Sequence, residues 1–197
     1  MARQPKFDDD EILDRAMTAF WRGGLHQTSI RDLERILDLK APSIYRRWGT
    51  KDGLGAAVVD HYVDRVVGHR VERHLGGDGD PIDNLVSFLE SSVTQSGDGG
   101  RLWGCLLTNA ALEADDPDPQ LLAALHRGLA AIEDGIRAEV DRAGELDRLA
   151  PRVDPAAAVD TLTLAMQGLM AMARGGASPT DLRRRARGAV ALVAAEA

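Results

Sequence analysis

The residues best equipped for chemistry gather between positions 22 and 51. Seven basic side chains there (Arg22, Arg31, Arg35, Lys40, Arg46, Arg47 and Lys51) outnumber three acidic ones (Asp32, Glu34 and Asp38), in a chain whose total charge is −7. An anionic partner is therefore expected near the N-terminal quarter, while the acidic whole is unsuited to coating nucleic acid or membranes. Ala41, Pro42 and Ser43 are compact enough for close approach to base edges, and Tyr45 and Arg46 can reach a base or an adjacent phosphate. Thr28, Arg31 and Lys51 are placed to hold phosphates, with Ser29 beside them and Lys40 as a further neutralising cation. Thr28 and Lys51 fall at expected helix starts, where free backbone N–H groups and the helix dipole favour an anion. On charge pattern alone, a short basic amphipathic helix is usually a solvated face, with Arg35 and Arg47 turned to water.

Other chemistry is sparse. Cys105 is the lone cysteine, so no intramolecular disulfide can form, and a reducing, cytoplasmic compartment is expected. No Cys/His set has the spacing of a zinc site; His61 and His69 could share a helix face, but no carboxylate or third ligand completes a metal site, and no cofactor is expected. The motifs GxSxG, HExxH, GxGxxG and the P-loop are absent, which argues against an enzyme; Cys105 with His126 as nucleophile and base has no other support. The N-terminal residues lack the apolar core of a signal peptide, and no apolar run approaches the roughly 20 residues that span a bilayer.

The elements that must position these groups repeat at helical spacing throughout, so the fold is expected to be all-α with about nine helices. Asp8, Asp9 and Asp10 cap a first helix that buries Ile12, Ala16 and Phe20 and stops at Gly23-Gly24. Thr28 or Ser29 caps a second, lined by Ile30, Leu33 and Leu37, and a short third runs from Lys40 to Arg47. A long fourth helix from Thr50 toward His74 carries Leu54, Val58, Tyr62 and Val66 inward. Asp80-Pro81 opens a fifth that ends at glycines 97, 99 and 100, and a sixth holds Cys105 to about Ala114. The stripe Leu122, Leu125, Leu129, Ile132, Ile136 and Val140 marks the seventh. Asp154-Pro155 and Ser178-Pro179 open the last two, which bury Val159, Leu162, Met166, Leu169 and Met170, then Leu182, Ala186, Val190 and Val193. Residues 1–52 form the expected reading domain and residues 53–197 a helical body.

Two short helices meeting at a tight turn, the second basic and aromatic, read as a helix-turn-helix. Residues 8–58 resemble the N-terminal domain of the TetR family of bacterial transcriptional repressors. The positions that carry the likeness are Ile12-Leu13, Ala16 with Phe20, Gly24, Thr28 through Leu33, Ile44-Tyr45 with Trp48, and Thr50 through Leu54. The resemblance implies a regulator that binds double-stranded operator DNA. Asp38 stands where the family usually has glycine, and Lys40 where it usually has a small N-cap. Aspartate tolerates the left-handed conformation such a turn requires. Lysine cannot cap a helix, though it can neutralise a phosphate.

For the body, the same resemblance implies a domain that binds a small-molecule effector and dimerises through its last two helices, with a palindromic operator to match. The effector-site candidates are His61, Tyr62 and Arg65 on the fourth helix, Phe88 on the fifth, Trp103, Cys105 and Asn109 around the sixth, His126 on the seventh, and Met166 and Met170 on the eighth. Each is equally compatible with a place in the core. Residues 104–121 resemble the start of the sensor core in a branch of the family where a lone cysteine can respond to electrophiles or oxidants. A buried, inert Cys105 is the alternative. A helical ligand- or protein-binding module without sequence-specific DNA recognition is the competing reading of the whole chain.

Overall fold

Helix caps set the layout. In the computed structural model, which describes residues 8–93, 101–113 and 115–195, the Asp8 carboxylate accepts the Asp10 N–H at 3.2 Å and starts α1 (Asp9–Gly23), whose buried face is Ile12, Ala16, Phe20 and Trp21. Ser29, rather than Thr28, caps α2 (Ile30–Leu37), in a reciprocal capping box with Asp32. Hydrogen bonding from Ser29 and then Arg35 holds the Asp32 carboxyl below its ordinary range. Asp38 ends α2 in the left-handed region (φ 52°, ψ 39°), as expected of the residue replacing glycine. The third helix, α3, spans Ala41–Trp48.

Thr50 accepts the Gly53 N–H at 2.9 Å and opens α4 (Lys51–Tyr62), which continues through a π-helical turn (Val63–Gly68) into α5 (His69–His74) as one rod. The π turn corrects the expected stripe. Leu54, Val58 and Tyr62 are buried, but the next buried apolar residue is Val67, not Val66, because the wider turn inserts one residue and advances the inward face by five positions. The body comprises α6 (Pro81–Ser92), α7 (Leu106–Glu113), α8 (Pro119–Glu145), α9 (Pro155–Arg174) and α10 (Pro179–Ala191). The expected terminators Gly97, Gly99 and Gly100 lie outside the described residues, as does Ala114. Proline in the first turn, behind an Asp or Ser cap, starts α6, α8, α9 and α10.

The rod packs along α8, α1 lies against its first half, and α6, α9 and α10 close the far side. At the start of α8 Leu121 is buried while Leu122 is 40% exposed, so the stripe, which includes buried Leu125, starts one residue earlier than its spacing implied. Glu139, buried on α8, accepts hydrogen bonds from the Gly76 N–H, from Asn84 at 3.3 Å and from Arg142 at 2.8–2.9 Å, tying the α5–α6 turn to the body. By length and composition α9 could cross a membrane, yet it buries Ala158, Val159, Leu162, Met166, Leu169, Met170 and Ala173 within the body.

Gly53 lets the end of α3 fold onto α4, since a Cβ there would overlap the Trp48 carbonyl oxygen. No rotamer relieves a collision with backbone. Gly53→Ala is expected to destabilise the protein by about 1–3 kcal/mol despite alanine's better helix propensity, lowering Tm by about 3–10 °C in a thermal melt.

Candidate nucleic-acid interface

The short α3 turns one face inward and one outward. Ile44 is completely buried on a helix that packs against α4 and α2, whereas Tyr45 is 45% exposed and Pro42, Arg46 and Arg47 are open to solvent. Lys40 and Arg31 are exposed as well, and Ala41 and Ser43 are half-buried. The structure thus brings Lys40, Pro42, Tyr45 and Arg46 onto one accessible surface around α3. Arg47 is not free there: it pairs with Asp9 of α1 and stacks over the Trp48 ring at 5.3 Å.

Two expected phosphate ligands have other work. The Thr28 side chain is buried and its hydroxyl donates to the Gly24 carbonyl at 2.7 Å, so Thr28 closes the α1–α2 turn. Lys51 points inward, and its ammonium donates to the carbonyls of Leu25, His26 and Thr28 at 3.0, 3.2 and 3.3 Å. From the body, Glu113 of α7 accepts the His26 N–H at 3.2 Å, and Arg174 at the end of α9 donates to the Trp21 carbonyl at 2.7 Å. The Trp21 indole donates in turn to the Gly104 carbonyl at 2.9 Å. Gly24 makes this junction possible. Its φ of +91° favours glycine, and a Cβ would approach the Glu113 carboxylate to 2.6 Å.

The expected effector residues scatter. His61 is buried and bonds Asp14 of α1 through Nε2 at 2.7 Å, while Arg65 is exposed and pairs with Asp10 at 2.6 Å. Both tie the rod to α1. Tyr62, Phe88, Met166 and Met170 are fully buried core. Tyr62 and Trp103 pack edge-on against Trp21 at 5.1 and 5.8 Å, Arg70 lies over Phe88, and Asn109 donates to the Trp103 carbonyl at 2.8 Å. Cys105 is buried just before α7, 3.7 Å from the Tyr62 hydroxyl that donates to it, an apolar setting unlike that of an exposed reactive thiol. His69 is exposed and His61 is not, and among the described residues no group of three metal-binding side chains exists.

A groove of about 520 Å³ does open in the body, between α7, α8 and α9. Of the expected residues only His126 lines it. Its walls are mainly apolar (Ala111, Leu112, Leu129), with Glu133 at one side and a Thr108 to Gln167 hydrogen bond of 2.6 Å joining α7 to α9. The Thr163 hydroxyl on this wall is shielded from solvent and has no partner among the described residues.

The comparisons agree with this geometry. A family described as bacterial regulatory proteins, tetR family, matches residues 12–58, and one described as tetracyclin repressor-like, C-terminal domain, matches residues 81–189, over half of the chain. The chain belongs to the TetR family of bacterial regulatory proteins. The HTH-type transcriptional repressor ComR of Escherichia coli (strain K12) is 46% identical over 63 residues, which are 32% of this chain and 30% of ComR, so the chain matches less than a third of that relative. The HTH-type transcriptional regulator YezE of Bacillus subtilis (strain 168), uncharacterized, is 29% identical over 134 residues, 68% of this chain and 69% of YezE. The TetR family transcriptional regulator CifR, as a cysteine mutant complexed with 26-bp double-strand operator DNA, superposes with a TM-score of 0.81 at 25% identity, covering 96% of this chain and 98% of CifR.

In this TetR-family chain the sequence reading missed Glu34, Glu113, Arg174 and the groove residues Thr163 and Gln167. Glu34 Oε1 accepts the Ala41 N–H at 2.7 Å. Only Glu34 left a trace in sequence, as a carboxylate shortly before a helix whose own cap position holds lysine.

Burial, and secondarily the neighbouring Cys105, raises the Tyr62 pKa well above the ordinary 10.0. The folded state therefore keeps a proton that the unfolded chain releases, and this stabilisation is complete below about pH 10 and lost as pH rises beyond it. Denaturant unfolding at pH 8 and about pH 11 is expected to show a smaller alkaline loss of stability in Tyr62→Phe than in wild type.

Proposed function

We propose that the protein is a transcriptional repressor that binds a palindromic double-stranded DNA operator as a homodimer and releases it when a small-molecule effector occupies the body. Residues 1–52 act as the reading head and residues 53–197 as the effector-binding and dimerisation unit, working in the cytoplasm where the DNA is. The observation that carries the reading is α3: a basic, aromatic helix anchored by buried Ile44, with Tyr45, Arg46, Pro42 and Lys40 exposed together. A helix of this kind fits the major groove, with cations at its edge for phosphates and compact or planar groups toward the bases. The operator named in the CifR complex supports it at 25% identity over nearly the whole chain.

Dimerisation through α9 and α10 is supported by what those helices leave uncovered. The most apolar stretch of α9 has a mean hydropathy of 1.3, yet only 39% of it is buried. Leu164 on α9 and Leu192 just past α10 are 71% and 72% exposed, with Gly168 and Ala171 on the same face as Leu164. A two-fold mate would cover this surface and present two reading helices to two half-sites.

Effector release is supported by the groove's position. Its walls α7 and α9 end in Glu113 and Arg174, which hold the α1–α2 junction of the head. A predominantly apolar molecule with a hydrogen-bonding group, entering between Thr108, Thr163 and Gln167, would separate those walls and shift both grips together. Such a ligand must prefer the arrangement that fits DNA poorly.

The test is selection of bound fragments from a random DNA pool, then affinity over a salt series. A two-fold motif and a steep salt slope are expected. Tyr45→Ala/Arg46→Ala is expected to weaken the selected site at least about ten-fold, since a base or phosphate contact is worth about 1–3 kcal/mol. No enriched motif, with weak sequence-indifferent binding, would contradict the reading.

A further inference from the structure

The first turn of α3 has an unusual source of hydrogen bonds. A helix normally begins with a Ser, Thr, Asp or Asn that accepts an N–H of its own first turn, but here the cap position is Lys40, which makes no such bond. The Glu34 carboxylate reaches across the Asp38-Leu39 turn from α2 and accepts the Ala41 N–H at 2.7 Å. The next residue, Pro42, has no N–H, and the Ser43 N–H donates to the Lys40 carbonyl at 2.8 Å. Every amide position of the first turn, from 41 to 43, is thus either satisfied within the head or lacks a donor. None remains to grip a DNA phosphate.

We infer that Glu34 is the positioning residue of the reading helix: it caps α3 from outside, fixes the pose of Tyr45 and Arg46, and frees the side chain at position 40 to serve as a phosphate cation. The two functions normally joined in one N-cap residue are split here, with the hydrogen-bond acceptor on α2 and the operator contact on Lys40. Anchoring of α3 on DNA then runs through side chains, not through its N-terminal amides. The inference rests on the DNA-binding reading above for its second half, while the capping half is measurable without DNA.

Simple electrostatics and this proposal predict opposite signs, which makes the test sharp. If Glu34 were only a negative charge beside DNA, removing it would tighten binding. As a cap its loss is worth about 1 kcal/mol per head, about five-fold in affinity and up to about 25-fold for two heads. In the full-length protein, Glu34→Ala is therefore expected to speed amide hydrogen exchange at Ala41 and to weaken the selected operator by that factor with an unchanged salt slope. Glu34→Gln keeps an acceptor without the charge and is expected to restore both exchange and affinity. Lys40→Ser is expected to leave the exchange at Ala41 slow and to lower the salt slope by about one phosphate contact per head. Unchanged or tighter operator binding by Glu34→Ala would overturn the proposal, as would unaltered exchange at Ala41. Altered exchange in Glu34→Ala beside a wild type that selects no operator would instead overturn the DNA-binding reading and leave the capping half standing.

Discussion

The architecture depends on how the turn between α1 and α2 is held. Residues 24–28 are gripped by Lys51 from α4, by Glu113 from α7 and, at the adjoining Trp21 carbonyl, by Arg174 from α9. Lys51 alone offers its ammonium to three carbonyls, and bonds from an ionised donor are stronger than neutral ones. Only a glycine at position 24 lets the chain pass this close to the Glu113 carboxylate with a positive φ. A reading head built from α1 and two eight-residue helices has a small core, and these grips hold it on the body.

The proposed release works by changing the head's orientation. The same two body helices that hold the junction form walls of the groove, and the rod between head and body includes a π turn, a feature that stores an inserted residue and often marks a functional site. Around the π turn, Asp10 and Asp14 of α1 hold Arg65 and His61. α1 meets the rod through the exposed Arg65–Asp10 ion pair, of modest strength, and the His61–Asp14 hydrogen bond, while Lys51 at the start of the rod and Glu113 and Arg174 from the groove walls hold the α1–α2 junction. In the proposed release, occupancy of the groove would act on the head through Glu113 and Arg174.

The head was legible in sequence where its chemistry is local. Ser29 with Asp32, Thr50 with Gly53 and the left-handed Asp38 are interactions within a few residues, and the all-α class followed from helical spacing, caps and first-turn prolines. Contacts across the chain were not legible. Lys51 has the type and place of a phosphate ligand, and nothing in its neighbours says that its ammonium turns inward to carbonyls 23 to 26 positions away. The π turn shifts the buried stripe from Val66 to Val67, adjacent valines that periodicity cannot separate, and Leu121 and Leu122 pose the same ambiguity on α8. The groove escaped because its lining is ordinary: Ala111, Leu112 and Leu129 read as core or surface until three helices fix which space they leave open. Tyr62, Phe88, Met166 and Met170 are large and apolar, and packing claims them first.

In the proposed complex the exposed face of α3 enters the major groove, twice per dimer. Dimethyl-sulfate protection of guanine N7 on a selected operator reads major-groove contact directly. Protection is expected in two symmetric half-sites separated by about one helical turn or more, at a stoichiometry of two chains per shared two-fold axis. A single protected stretch, or saturating binding with no guanine N7 protected at all, would contradict it.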